Sequence, residues 1–271
     1  MTSGPNFADL PKAHRLALGF AADPATAGGH VARSMMYDEI AMVVRAMPAS
    51  AAMEDISQAI LEENVLGKRT SSGRAKSLKN LKLLYGLDRT KPLFRVFWGF
   101  AHDEAGALPQ LCLLSAFARD PQLRQSFDLI RSMPAGQMLS RIAMEEHLNN
   151  GFPGRFTAKS LKSLAQNLNT TWTVSGHLSG RVKKVRTLPE PTATSAAYAM
   201  FVGYLAGLRG VTLLNSVFGE LVSASRAQLQ SALNLAAAKG LLSLRQAAEV
   251  VEFDFSGLLT RTEQGLLHES S

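Results

Sequence analysis

The chain has 271 residues, of which 46% are hydrophobic and 7% aromatic, with a net charge of +7. That apolar share supports a folded core and excludes a mostly disordered chain. A single cysteine, Cys112 in the apolar run 111–114, excludes an intrachain disulfide; with no secretory leader in view, the expected compartment is the reducing cytoplasm.

Abundant Ala and Leu favour helices over sheets. Residues 1–30, rich in Gly, Ala and Pro, read as an irregular arm. Val31 to Met47 has helical spacing at Met35, Met36, Ile40, Val43, Val44 and Met47, and Pro48 ends it. Ser50 is the expected cap of a second helix, which carries Glu54 and Asp55 in its first turn and stops at Gly67. Ser71 or Ser72 is the expected cap of a third, from Gly73 to Tyr85, with Leu78, Leu81, Leu84 and Tyr85 inward. Segment 31–91 thus outlines a helix-turn-helix whose last helix is basic; a solvated basic helix on a bundle has the same pattern.

Segment 92–188 reads as a helical middle ending in a second basic element. The block 93–100 is densely apolar and 108–117 nearly all apolar, so both belong in a core. Asp120-Pro121 begins another helix, and Gln137 to Leu148 follows Pro134. Thr157 can cap a helix reaching Trp172. After it, Val182 and Val185 alternate with cations from Arg181 to Arg186, which predicts a short ribbon. A helix followed by a basic ribbon has the outline of a winged helix. Past the rigid Pro189-Glu190-Pro191, segment 189–271 repeats that outline. It has helices at 196–208 and 211–221, a third capped by Ser223 or Ser225, and strands 241–245 and 250–255 joined through 246–249. Arg226, Gln228, Gln230 and Asn234 could pair with bases, but Glu249, Glu252 and Asp254 would repel phosphates, which favours protein contact or internal packing there. The apolar run from Ala196 to Leu208 falls short of the about twenty residues a bilayer span requires, so no membrane span is expected. The expected fold class is mainly α, a helical bundle with helix-turn-helix or winged-helix-like modules and little β.

The charge is clustered. From Lys68 to Arg95 there are nine cations against Asp88 alone; from Arg155 to Arg186 there are seven and no anion. Such clustering points to a polyanion, with double-stranded DNA the expected partner. The candidate contacts are Lys68, Arg69, Arg74, Lys76, Lys79, Lys82, Lys159, Lys162, Arg181, Lys183, Lys184 and Arg186. Trp172, bordering the second block, can stack on a base or seal a core edge. His177 can serve as a polar turn residue or a pH-sensitive phosphate contact. The six histidines show no metal-ligand spacing, and there is no phosphate loop, dinucleotide fingerprint or serine elbow. No catalytic residue, metal or cofactor is expected. RNA and a protein partner remain alternative readings.

The stretch from Ile60 to Arg74, ILEENVLGKRTSSGR, joins an acidic helix end to Lys-Arg, a Ser-rich turn and a basic helix. In this it resembles the BrxA family, small accessory proteins of BREX-type bacterial phage-defence systems. The segment from Lys162 to Trp172 is compatible with that family's later helix, and the resemblance spans Val31 to Leu188. It implies a mostly helical, non-enzymatic protein that binds double-stranded DNA beside a methyltransferase and other defence components, with Lys68, Arg69, Arg74, Lys76 and Lys79 as matching contacts. The long N-terminal arm and the module after Pro191 depart from the family pattern.

Overall fold

The computed structural model describes residues 9–21, 23, 28–247 and 250–268. In chain order its helices and strands are α1 Lys12–Leu18, α2 Tyr37–Ala46, α3 Met53–Leu61, α4 Ser71–Tyr85, α5 Pro92–Asp103, α6 Leu108–Arg119 and α7 Pro121–Ser132. There follow β1 Met138–Leu139, α8 Arg141–Gly151, α9 Ala158–Val174, β2 Leu178–Ser179 and β3 Lys184–Arg186. Last come α10 Ala193–Leu205, α11 Gly210–Leu214, α12 Val217–Val222, α13 Arg226–Ala238, β4 Ser243–Ala247, β5 Val250–Asp254 and α14 Arg261–His268. The fold is mainly helical, with only short antiparallel ribbons.

These elements form two compact units interleaved along the chain. One comprises Pro24–Leu87 and Ala116–Leu188; the other comprises Met1–Asp23, Asp88–Ser115 and Pro189–Ser271. The segment 92–188, read in sequence as one module, therefore divides inside α6. The first unit carries 19 Lys and Arg against 10 Asp and Glu; the second carries 10 against 12. We call them the basic and the acidic unit.

The basic unit contains a winged helix built from α7 through β3. Asp120 caps α7 by accepting the N–H groups of Gln122 and Leu123, and Pro121 takes the first helical position, where it forfeits no internal bond. α8 packs on both α7 and α9. The three strands are ordered β1-β3-β2, all antiparallel, with Met138 opposite Val185 and Ser179 opposite Val185 on the other side. Trp172 stacks on Phe127 with ring centres 5.5 Å apart, and its indole N–H donates to Ser126 Oγ at 2.9 Å. Burying each such aromatic contributes about 2–3 kcal/mol. Ahead of this module, α3 packs on α4.

The acidic unit holds a second module of similar order. α10 packs on α12 and α13, α11 on β5, and β4 pairs with β5 from Ser243–Asp254 to Ala247–Val250. α10 is buried along nearly its whole length, also against α5. That accounts for its all-round apolar sequence. No described helix is long and apolar enough to cross a membrane.

Several boundaries differ from the sequence reading, each for a local or tertiary reason. The arm contains helix α1. The helix expected from Val31 begins only at Tyr37, because the Met35 N–H is taken by Thr171 Oγ1 and Met36 turns left-handed, with φ 52°. α3 is capped by Asp55, which accepts the Ala52 N–H, and not by Ser50. It ends at Leu61, before Gly67, where Asn64 turns left-handed and accepts the Lys68 N–H. Thr70, one residue before the expected caps, accepts the Gly73 N–H and starts α4 at Ser71. Met138 and Leu139 leave the expected helix to pair with β3. The helix expected at 211–221 is two, α11 and α12, interrupted at Asn215-Ser216. Gln246 and Ala247, expected in the turn, belong to β4, and Ala248-Glu249 lie outside the described residues.

Candidate nucleic-acid interface

α9 buries one face and offers the other. Leu164, Ala165, Leu168, Thr171 and Trp172 point into the core. Lys159, Lys162, Ser163, Gln166 and Thr170 are exposed at successive three- and four-residue steps, a continuous stripe opposite that core. Thr157 caps the helix by accepting the Ser160 N–H at 3.2 Å. The side chains of Lys159, Lys162 and Gln166 make no ion pair or hydrogen bond among the described residues. No carboxylate lies on this helix.

The β2–β3 hairpin forms a wing beside it. Its turn, 180–183, needs glycine at its first position: Gly180 has φ +88°, and a Cβ there would stand 2.1 Å from the Lys183 carbonyl oxygen. Arg181, Val182 and Lys183 form an exposed tip, Val182 being 87% exposed. The next two cations turn inward. Lys184 Nζ donates to Thr173 Oγ1 and to the Gly180 carbonyl, both at 2.8 Å, bracing the tip against the end of α9. Arg186, 8% exposed, donates to the His177 carbonyl at 3.1 Å and to that of Thr187. Burial pushes both below their ordinary pKa. Lys184 and Arg186 are thus wing supports, which removes them from the expected contact surface.

α4 is a different surface. Lys76 and Lys79 are exposed, Arg74 and Lys82 half-buried, and Arg69 exposed in the preceding turn. Lys68 is ion-paired with Glu39 at 2.9 Å. Leu61, Ala75, Leu78 and Leu83 line an apolar groove of about 420 Å³ flanked by Lys79 and Lys82. The stripe on α4 therefore mixes cations with apolar surface, whereas that on α9 is polar throughout. Of the remaining cations in the first block, Arg95 is committed within the acidic unit, paired to Glu263 at 2.7 Å and bonded to the Leu258 carbonyl.

Trp172 and His177 are fully buried, so neither stacks on a base nor meets a phosphate. His177 lies edge-on to Trp172, with ring centres 4.9 Å apart. A buried polar group went unseen in sequence. His30 Nδ1 bonds Asp120 Oδ2 at 2.8 Å, and its Nε2 lies 2.9 Å from Thr171 Oγ1. The His30 backbone N–H also donates to Asp120, and Asn167 Nδ2 donates to the His30 carbonyl. Hydroxyl, imidazole and carboxylate stand in the order of a nucleophilic relay. All three are sealed from solvent, so the set fastens residues 28–36 to the back of α9. Only its Asp-Pro helix start was legible; the partners are 90 and 141 residues from His30.

In the second module the corresponding polar face is bonded to itself. Gln246 donates to Gln230 at 2.9 Å and Gln230 to Asn234 at 3.0 Å, while Ser225 donates to Gln228. Its wing carries Glu252 and Asp254, both exposed; the Glu249 expected with them lies outside the described residues. Among known proteins, no family model and no curated sequence matches the chain.

Proposed function

We propose that the basic unit binds duplex DNA without catalysing a reaction on it, mainly through phosphate contacts from α9, the tip of the first wing and α4. The observation that carries this reading is that one winged helix carries both a polar stripe bearing Lys159 and Lys162 and, at the other end of the same helix, a wing tip bearing Arg181 and Lys183, none of them ion-paired among the described residues. In this fold the last helix before the wing enters a groove while the wing follows the backbone. Arg69, Lys76 and Lys79 add exposed charge, with Arg74 and Lys82 partly available and Lys68 in competition with Glu39.

Neutralising roughly six phosphates makes binding fall by about a thousandfold between low and moderate salt. Gel-shift titration of random-sequence duplex at several salt concentrations tests this, with duplex RNA as competitor. Lys159→Glu with Lys162→Glu should weaken binding at every concentration and flatten the salt dependence by about two counterions. Unchanged binding would reject the assignment. Work beside a methyltransferase in a BREX-like phage-defence system rests on the resemblance of segment 60–74 to the BrxA family.

A second role suits the acidic unit. Its module exposes Val250 (68%) on the same strand as Glu252 and Asp254, and Leu235 (52%) on α13 beside a groove lined by Glu104 and Glu190. Apolar groups among carboxylates favour a protein partner over phosphates.

A further inference from the structure

Phosphate contacts alone make a sequence-blind protein, yet the centre of the α9 stripe is not charged. Gln166 sits there, one turn beyond Lys162 and one turn before Thr170. Its side-chain amide is exposed and makes no hydrogen bond among the described residues. An amide offers one acceptor and one donor side by side, the complement of the N6 amino group and N7 of adenine in the major groove. The residues around it leave it room. Ser163 is small, and its hydroxyl donates to the Lys159 carbonyl at 3.2 Å. The Thr170 hydroxyl donates to the Gln166 carbonyl at 2.9 Å. With that proton committed, the methyl group of Thr170 remains as an apolar contact for the 5-methyl of a thymine.

We infer that α9 reads sequence through Gln166, which selects an adenine in an A·T pair, with Thr170 against a thymine methyl nearby. This rests on the winged helix of the basic unit binding duplex DNA. Gln230 and Asn234 of α13 offer no such site, because Gln230 donates to Asn234 and accepts from Gln246.

The test is selection from a random duplex pool with the full-length protein and with Gln166→Ala. The wild type should enrich a short motif with adenine fixed at one position. In Gln166→Ala the preference at that position should drop by about tenfold. Placing 7-deazaadenine at the same position should weaken the wild type and leave Gln166→Ala unaffected. Binding without enrichment, or the same adenine enriched by Gln166→Ala, overturns the inference and leaves phosphate binding standing. Absence of any duplex binding overturns both.

Discussion

Asp120 is a carboxylate sealed from solvent, and four contacts hold it in its charged form. It accepts from the ring and backbone of His30 and from the N–H groups of Gln122 and Leu123. Burial pushes its pKa up, but the His30 charge and the hydrogen bonds from His30 and Leu123 outweigh burial, so the net shift is below the ordinary aspartate value. With the folded value depressed, the unfolded chain takes up the proton first. The stabilisation is fully present above about pH 4 and is lost as pH falls through the folded value. Asp120→Asn replaces the buried carboxylate that the His30 ring and three backbone N–H groups bond, and should cost about 1–3 kcal/mol in denaturant unfolding. Unfolding midpoints followed from about pH 6 downward should fall less steeply in that variant than in the wild type. An equally steep fall would assign the acid sensitivity to other carboxylates. Arg124, close by, is a strongly shifted arginine. Burial lowers it to about 10 despite the opposing charge of Asp120, and its guanidinium donates to the Phe117 carbonyl.

Among the elements, those with local causes were legible. α7 and α9 announce themselves by Asp120-Pro121 and by Thr157, caps whose bonds close within three residues. α10 was legible from its unbroken apolar run. β1 was not, because two residues become a strand only through β3, about forty-five positions away by register. The same holds for the wing cations. Their alternation predicted a ribbon, but nothing local distinguishes Arg181 and Lys183, at the tip, from Lys184 and Arg186, which close onto carbonyls. The two pairs should separate by experiment. Arg181→Ala with Lys183→Ala should lower the salt slope of DNA binding by about two while leaving thermal stability within roughly 0.5 kcal/mol of the wild type. Lys184→Met with Arg186→Met should lower the melting temperature. Equal behaviour in melting and in salt titration would refute the division of labour.

Taken whole, the molecule sorts its charge by unit. The basic unit has a net +9 and the acidic unit −2, although each contains a winged-helix arrangement. Fold alone therefore says little about what each module touches; the charge on its outward face says more. The clustering of cations was visible in the sequence. What sequence order concealed was that three of the cations in the first cluster, Arg89, Lys91 and Arg95, belong to the other unit. Replacing Arg226 and Arg245 of the acidic unit by Ala should leave duplex affinity and its salt dependence unchanged in the gel-shift titration. A marked loss would give the second module a share of the DNA.

The attachment of residues 28–36 to Thr171, Asn167 and Asp120 sets how the protein can be divided. A fragment cut at the start of α7 would keep the exposed stripe of α9 and the wing tip and lose the rear wall that holds the helix beneath them. The smallest self-sufficient form of this winged helix is consequently discontinuous in the gene: its front comes from the middle of the chain and its backing from near the beginning.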